Sequence, residues 1–351
     1  MVLLWVGLVA GCTGANSTST AATTATSGPD STGPDATSTG PMSATSGPAP
    51  TSGATGSAET GATVTTGATS ATATTGNAGC PSLAPMGLWV WQPAQAQDPG
   101  LAAQLLELAT QREVTHLYLE SELLLAEDPA RLVAFIAEAD AACVKVELLF
   151  GAADWAQTEN HGVPLALVES ALELVDGISG ARPVGLHFDV EPHGLPDWGA
   201  NQAEYAGEYL DLLELMAANM AGSELSLTVD IAFWYDTVLI DRDGATRPLN
   251  ELVQDRVDRV VVMDYRDHAE PPDGIIDNAA AEIDYAGKIG RLVRVAVETT
   301  CGLEPEKVTF CEEGKIAMSL ALALTASIYA ASPGWDGVAV HDHAAWSVLM
   351  D

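Results

Sequence analysis

Residues 184–193 read VGLHFDVEPH, an apolar run in which His187, Asp189 and Glu191 recur at every second position and Pro192 ends the run. Side chains two apart in a strand share a face, so this spacing projects two carboxyls together from the point where the chain leaves a sheet. Burying neighbouring ionisable groups is costly unless they are paired or used. Carboxyls so placed suit proton transfer and the binding of hydroxyl groups; the plain alternative is a structural ion pair or a helix N-cap.

The elements that must position these groups follow from periodicity. Across 80–351, β-rich runs at 86–91, 114–120, 144–150, 183–191, 225–234, 259–265, 291–298 and 337–343 alternate with helical patterns. The helices are expected at 100–112, 129–142, 165–178, 202–221, 276–289 and 315–331, and eight β/α units predict an α/β fold, a (β/α)₈ barrel in a single domain. A doubly wound open sheet is the runner-up, but no Gly-rich phosphate loop follows any strand.

In such a barrel, active sites lie at the C-terminal ends of the strands. Those ends carry Trp91, Glu120, Phe150 with nearby Asp154 and Trp155, and Asp189 with Glu191; then Asp230 with Trp234 and Tyr235, Asp264 with Tyr265, Glu298, and His341 with Asp342. Aromatic faces for stacking and acids for hydroxyls are the composition of a site that grips sugar rings. The substrate-contacting set expected from this is Trp91, Glu120, Asp230, Trp234, Tyr235, His187, His341 and Asp342. Asp264 and Tyr265 are consecutive, so in a regular strand only one faces the lumen.

All 14 Lys and Arg lie after Cys80, whereas of the 48 Asp and Glu only Asp30, Asp35 and Glu59 precede it, leaving 45 acidic against 14 basic groups in 80–351. That charge repels phosphate backbones, so nucleic acid is excluded as a partner. Residues 13–79 are almost entirely Ser, Thr, Ala, Gly and Pro and are expected to form a disordered tether. Cys301 and Cys311 bracket one loop, and Cys80 and Cys143 each precede a strand at the same end of the barrel. The expected disulfides are therefore Cys301 with Cys311 and Cys80 with Cys143. No Cys-x-x-Cys spacing occurs, and neither a metal nor a cofactor is expected.

Two resemblances add to this. The opening MVLLWVGLVAGC is an apolar run too short to span a bilayer as a helix, and Val9, Ala10, Gly11 and Cys12 resemble the lipobox of bacterial lipoproteins. That resemblance implies a signal segment at 1–12, lipid on Cys12, and anchoring in the bacterial cell envelope, with Thr13 favouring the outer membrane.

The barrel resembles glycoside hydrolases of the chitinase-like superfamily. Their strand-4 pattern D-G-x-D-x-D-x-E falls on VGLHFDVE, where Gly185, Asp189 and Glu191 match while Val184 and His187 replace two Asp residues; their strand-6 M-x-Y-D falls on Met263 to Arg266, matching Met263 and Tyr265. The resemblance implies Glu191 as general acid, Asp189 as the neighbour that raises its pKa, and Tyr265 as a stabiliser of the reacting group. Glu191–Pro192 also resembles the Asn-Glu-Pro acid/base of another barrel clan, in which Glu298 would stand as nucleophile. The catalytic partner stays open between Asp189, Glu298 and Asp264.

The implied activity is hydrolysis of a poly- or oligosaccharide by a monomer. One alternative is a non-catalytic carbohydrate-binding barrel. Another is a metal-dependent hydrolase assembled from His187, His193, His341, Asp342 and His343 with the two carboxylates.

Overall fold

The computed structural model describes residues 79–351. The expected lipid attachment at Cys12 and the 13–79 tether lie outside the described residues, apart from Gly79. In chain order the strands are β1 (Met86–Val90), β2 (His116–Glu120), β3 (Lys145–Phe150), β4 (Gly185–Phe188), β5 (Ser226–Ala232), β6 (Leu239–Arg242), β7 (Ala245–Pro248), β8 (Arg259–Met263), β9 (Leu292–Glu298) and β10 (Trp335–His341). Eight of them pair in parallel and close a barrel in the order β1-β10-β9-β8-β5-β4-β3-β2.

The helices follow the strands as the apolar periodicity requires. Pro99–Gln111 starts where the Asp98 side chain accepts from the backbone N–H groups of Gly100 and Leu101, and Pro129–Ala141 where Asp128 accepts from that of Arg131. These caps satisfy donors that a helix start leaves open, and Pro at the first helical position removes another. Outward-facing Leu88, Leu117, Leu148, Leu186, Val229 and Val260 are fully buried against the helical layer. Each such side chain contributes about 1.5–3 kcal/mol relative to exposure.

The sequence reading missed β6 and β7, an antiparallel hairpin inserted after β5. Its two-residue turn is Asp243–Gly244 with φ of 55° and 81°, the left-handed pair that a tight hairpin demands. Strands 4, 5 and 8 also end earlier than periodicity suggested. Asp189, Glu191, Trp234, Tyr235, Asp264 and Tyr265 therefore stand on the turns that follow them.

The lumen is layered. Trp89, Tyr118, Leu149, Val261, Ala296 and Ala339 fill its middle. Gly87 is required there, since a Cβ would lie 2.3 Å from the Tyr118 hydroxyl. Both expected disulfides are formed, Cys80–Cys143 with Cα atoms 5.5 Å apart and Cys301–Cys311 with 5.0 Å.

Candidate active site

The backbone N–H of Asp189 donates to the carbonyl of Phe150, the last ladder contact before the β4 chain turns outward. Gly151 makes room for that turn, because a Cβ there would meet the Asp189 carbonyl at 2.6 Å. Pro192 then opens a single 3₁₀ turn, Pro192–Gly194, and leaves Glu191 at the rim of the lumen.

Burial, then the negative charge of Asp230, pushes the Glu191 carboxyl up to about 7, although His341 opposes them. Asp189 is raised well above the carboxylate range by burial and by its neighbours Glu191 and Asp230, and its Oδ1 has no hydrogen-bond partner. Three carboxyls thus crowd one site. Mutual repulsion and a dry environment keep protons on part of the set at neutral pH.

Asp230, from β5, is fixed from below. It accepts from the Trp89 indole at 3.3 Å and from His187 Nε2 at 2.8 Å. His187 Nδ1 in turn lies 3.4 Å from Glu147 Oε2, and Arg259 contacts the other Glu147 oxygen at 3.0 Å. Both His187 and Glu147 are wholly buried. Burial resists charge on His187, but Asp230 and Glu147 outweigh it and lift the imidazole to about 9. Glu147 is held below the carboxylate range, because His187, Arg259 and Arg294 outweigh its burial.

On the opposite wall, Glu298 ends β9. Its Oε1 accepts from the backbone N–H groups of Thr299 and Thr300 at 2.7 and 2.8 Å, and its Oε2 from His341 Nδ1 at 2.8 Å. Burial would raise its pKa; His341 and these donors outweigh that and hold it low. Glu298 is therefore an anion. The Trp91 indole donates to His341 Nε2 at 2.9 Å, and since indole only donates, the His341 proton sits on Nδ1, facing Glu298.

Tyr265 packs beside the lumen aromatics with its ring centroid 6.1 Å from that of His341. Its hydroxyl is pushed up by burial and by Glu298, Asp189, Glu191 and Asp230, so it stays a neutral donor. Asp264 turns the other way, where its Oδ1 accepts from Asn278 behind the wall. Of the two consecutive residues it is Tyr265 that joins the site.

A third group lies on the turn Phe233–Thr237. His193 Nδ1 is 2.9 Å from the Tyr235 hydroxyl, its Nε2 is 3.7 Å from Glu191 Oε2, and the Trp234 ring stands edge-on to it at 5.1 Å. Burial lowers His193 to about 4, so it is neutral beside the acid.

The other expected contacts divide. Glu120, half-buried at the end of β2, accepts from the Glu122 backbone N–H and is raised by burial. Asp342 caps the helix His343–Val348 through the Ala345 N–H. His187 and Asp230 lie beneath the mouth, with 0% and 1% exposure, and act on the site from below. Sequence reasoning did not single out Glu147, Arg259 or Arg294. Their signal was a charged residue at an inward position of an apolar strand, as in KVELLF and LVRVAVE. Among the described residues no group of three or more His, Cys, Asp or Glu is arranged to hold a metal ion.

No family model matches the chain, and no curated protein matches it. Solved structures do. A chitinase from Chromobacterium violaceum is similar at 13% identity and TM-score 0.46, over 76% of this chain and 97% of that one. A class V chitinase from Pseudomonas fluorescens is similar at 13% identity and TM-score 0.43, over 75% and 97%. The spore cortex-lytic enzyme SleL of Bacillus megaterium is similar at 12% identity and TM-score 0.44, over 74% and 70%.

Proposed function

We propose that this barrel hydrolyses glycosidic bonds, with Glu191 donating the proton to the leaving oxygen. The observation that carries the reading is the Glu191 carboxyl at the end of β4, lifted to about 7 by burial and by Asp230. A general acid works best when its pKa lies near the working pH, so that it is protonated at rest and still willing to give the proton up.

Glu298, kept anionic on the far wall, supplies negative charge for the oxocarbenium character that develops as the C–O bond breaks. Neutral Tyr265 donates to oxygen at the reacting sugar. Trp91 and Trp234 offer ring faces for stacking. After departure of the leaving group, ionised Glu191 takes a proton from water as the water oxygen bonds to the anomeric carbon, which completes hydrolysis and restores the acid.

The reading includes tethering at the surface of a bacterial envelope by lipid on Cys12, supported by the Val9-Ala10-Gly11-Cys12 motif and the small-residue spacer after it. Incorporation of labelled fatty acid, lost in Cys12→Ala, tests that part. Incubation of the chain with a panel of neutral and amino-sugar polysaccharides tests the chemistry. Release of reducing ends from at least one is expected; none released by folded protein would contradict hydrolysis.

A further inference from the structure

We propose that His187 is a positioning residue, a permanent buried imidazolium that clamps Asp230 as an anion beside the Glu191 acid. The proposal rests on the glycosidase reading for its meaning in turnover, but its geometry stands apart. His187 bridges two strands, with one ring nitrogen 2.8 Å from Asp230 on β5 and the other 3.4 Å from Glu147 on β3. A neutral imidazole has one N–H, which Asp230 takes; His187 Nδ1 and Glu147 Oε2 make no hydrogen bond and lie 3.4 Å apart with no water-exposed surface, a contact that is favourable as an ion pair when the second nitrogen also carries a proton.

The clamp is itself anchored. Glu147 is held by Arg259 at 3.0 Å; Arg259 and Arg294 share Asp336 Oδ2, each at 2.6 Å; and Arg294 donates to the Tyr118 hydroxyl at 2.8 Å. The Tyr118 ring lies 4.2 Å from the His187 ring, so β1, β2, β3, β4, β5, β8, β9 and β10, all eight barrel strands, contribute to one connected stack below the site.

The consequence reaches Glu191 through Asp230. The groups facing Glu191 are Asp189 on its own turn, Asp230 from β5, His193 from the 3₁₀ turn, His341 from β10, and the hydroxyls of Tyr209, Tyr235 and Tyr265. Of these, Asp230 is the carboxylate with a direct cationic partner. The imidazolium holds the Asp230 carboxylate where its charge faces Glu191, so its loss is expected to weaken the repulsion that raises Glu191.

Two measurements on the full chain test this. ¹⁵N NMR of the His187 ring is expected to show both nitrogens protonated from pH 6 to 8; a neutral ring at pH 7 would overturn the proposal without any variant. ¹³C NMR of the Glu191 carboxyl, with the alkaline limb of kcat/KM alongside, is then compared in His187→Gln, which keeps an N–H for Asp230 but no charge, and in Asp230→Asn. Both are expected to lower the Glu191 midpoint by about one unit. A fall in Asp230→Asn with no change or a rise in His187→Gln would overturn the clamp. Because the carboxyl titration is read without turnover, absence of released sugar would count against the hydrolase reading and leave this result standing.

Discussion

His341 donates its Nδ1–H to Glu298 across 2.8 Å while Trp91 occupies its other nitrogen at 2.9 Å, so one aromatic side chain fixes the tautomer that keeps an anion in the barrel mouth. Glu298 lifts the His341 pKa against the effect of burial. Trp91 pulls the other way, because an imidazolium would turn a second N–H against the indole. Replacing Trp91 by Phe is expected to raise the His341 midpoint by about one unit, read by ¹⁵N NMR. It is expected to lower kcat about tenfold, the worth of one hydrogen bond. An unmoved midpoint would mean that Trp91 does not hold the tautomer.

The pH dependence of stability has a definite sign. Glu147 and Glu298 sit below the carboxylate range when folded, so their contribution is present above an unfolded pKa of about 4.3 and fades as pH falls through their folded values. His187, raised to about 9, contributes fully below about 6.5 and loses its contribution as pH climbs through 9. Glu191 and Glu282, raised to about 7 and about 8 chiefly by burial, likewise cost stability as pH rises through those values. Tm is therefore expected to peak at roughly pH 4 to 5 and to fall toward pH 9. Glu282→Gln, which keeps an acceptor for Asn250, is expected to flatten that fall. A Tm maximum above pH 8 would contradict the assignment.

Gly87→Ala tests the packing of the lumen. The new Cβ would lie 2.3 Å from the Tyr118 hydroxyl and 2.6 Å from the ring carbon that bears it. Tyr118 is fully buried, edge-on to Trp89 at 4.7 Å and bonded to Arg294, so it has no free direction to yield. Urea unfolding is expected to show a loss of about 1–3 kcal/mol. An unchanged midpoint would show that the ring moves freely.

The loop linked by Cys80–Cys143 spans 63 residues and that of Cys301–Cys311 spans 10. Chain entropy assigns the longer closure about 4 kcal/mol and the shorter about 3 kcal/mol. Paired Cys→Ser changes are expected to lower stability in that order, and a larger loss at Cys301–Cys311 would point to a native-state role for that loop instead.

Much of this was legible in the sequence because the barrel writes a simple signal: short apolar runs alternating with longer amphipathic ones, and acids and aromatics gathered where the strands stop. Both disulfides followed from the same placement. The charged stack was not legible, since Glu147, His187, Asp230, Arg259 and Arg294 come from five strands and meet only when the sheet closes. Strand alternation could not choose between Asp264 and Tyr265, because β8 ends at Met263 and the turn after it decides which side chain enters the lumen. The β6–β7 hairpin was missed although Asp243–Gly244 marked it.

Glu191→Gln is the direct measure of the part this carboxyl plays. The amide keeps the shape and cannot give up a proton as an acid, so kcat on any polysaccharide the chain degrades is expected to fall by about 10²- to 10⁴-fold, with affinity for the intact sugar retained. Turnover that survives the substitution would contradict the account, as would a wild-type chain that binds sugar tightly and cleaves none.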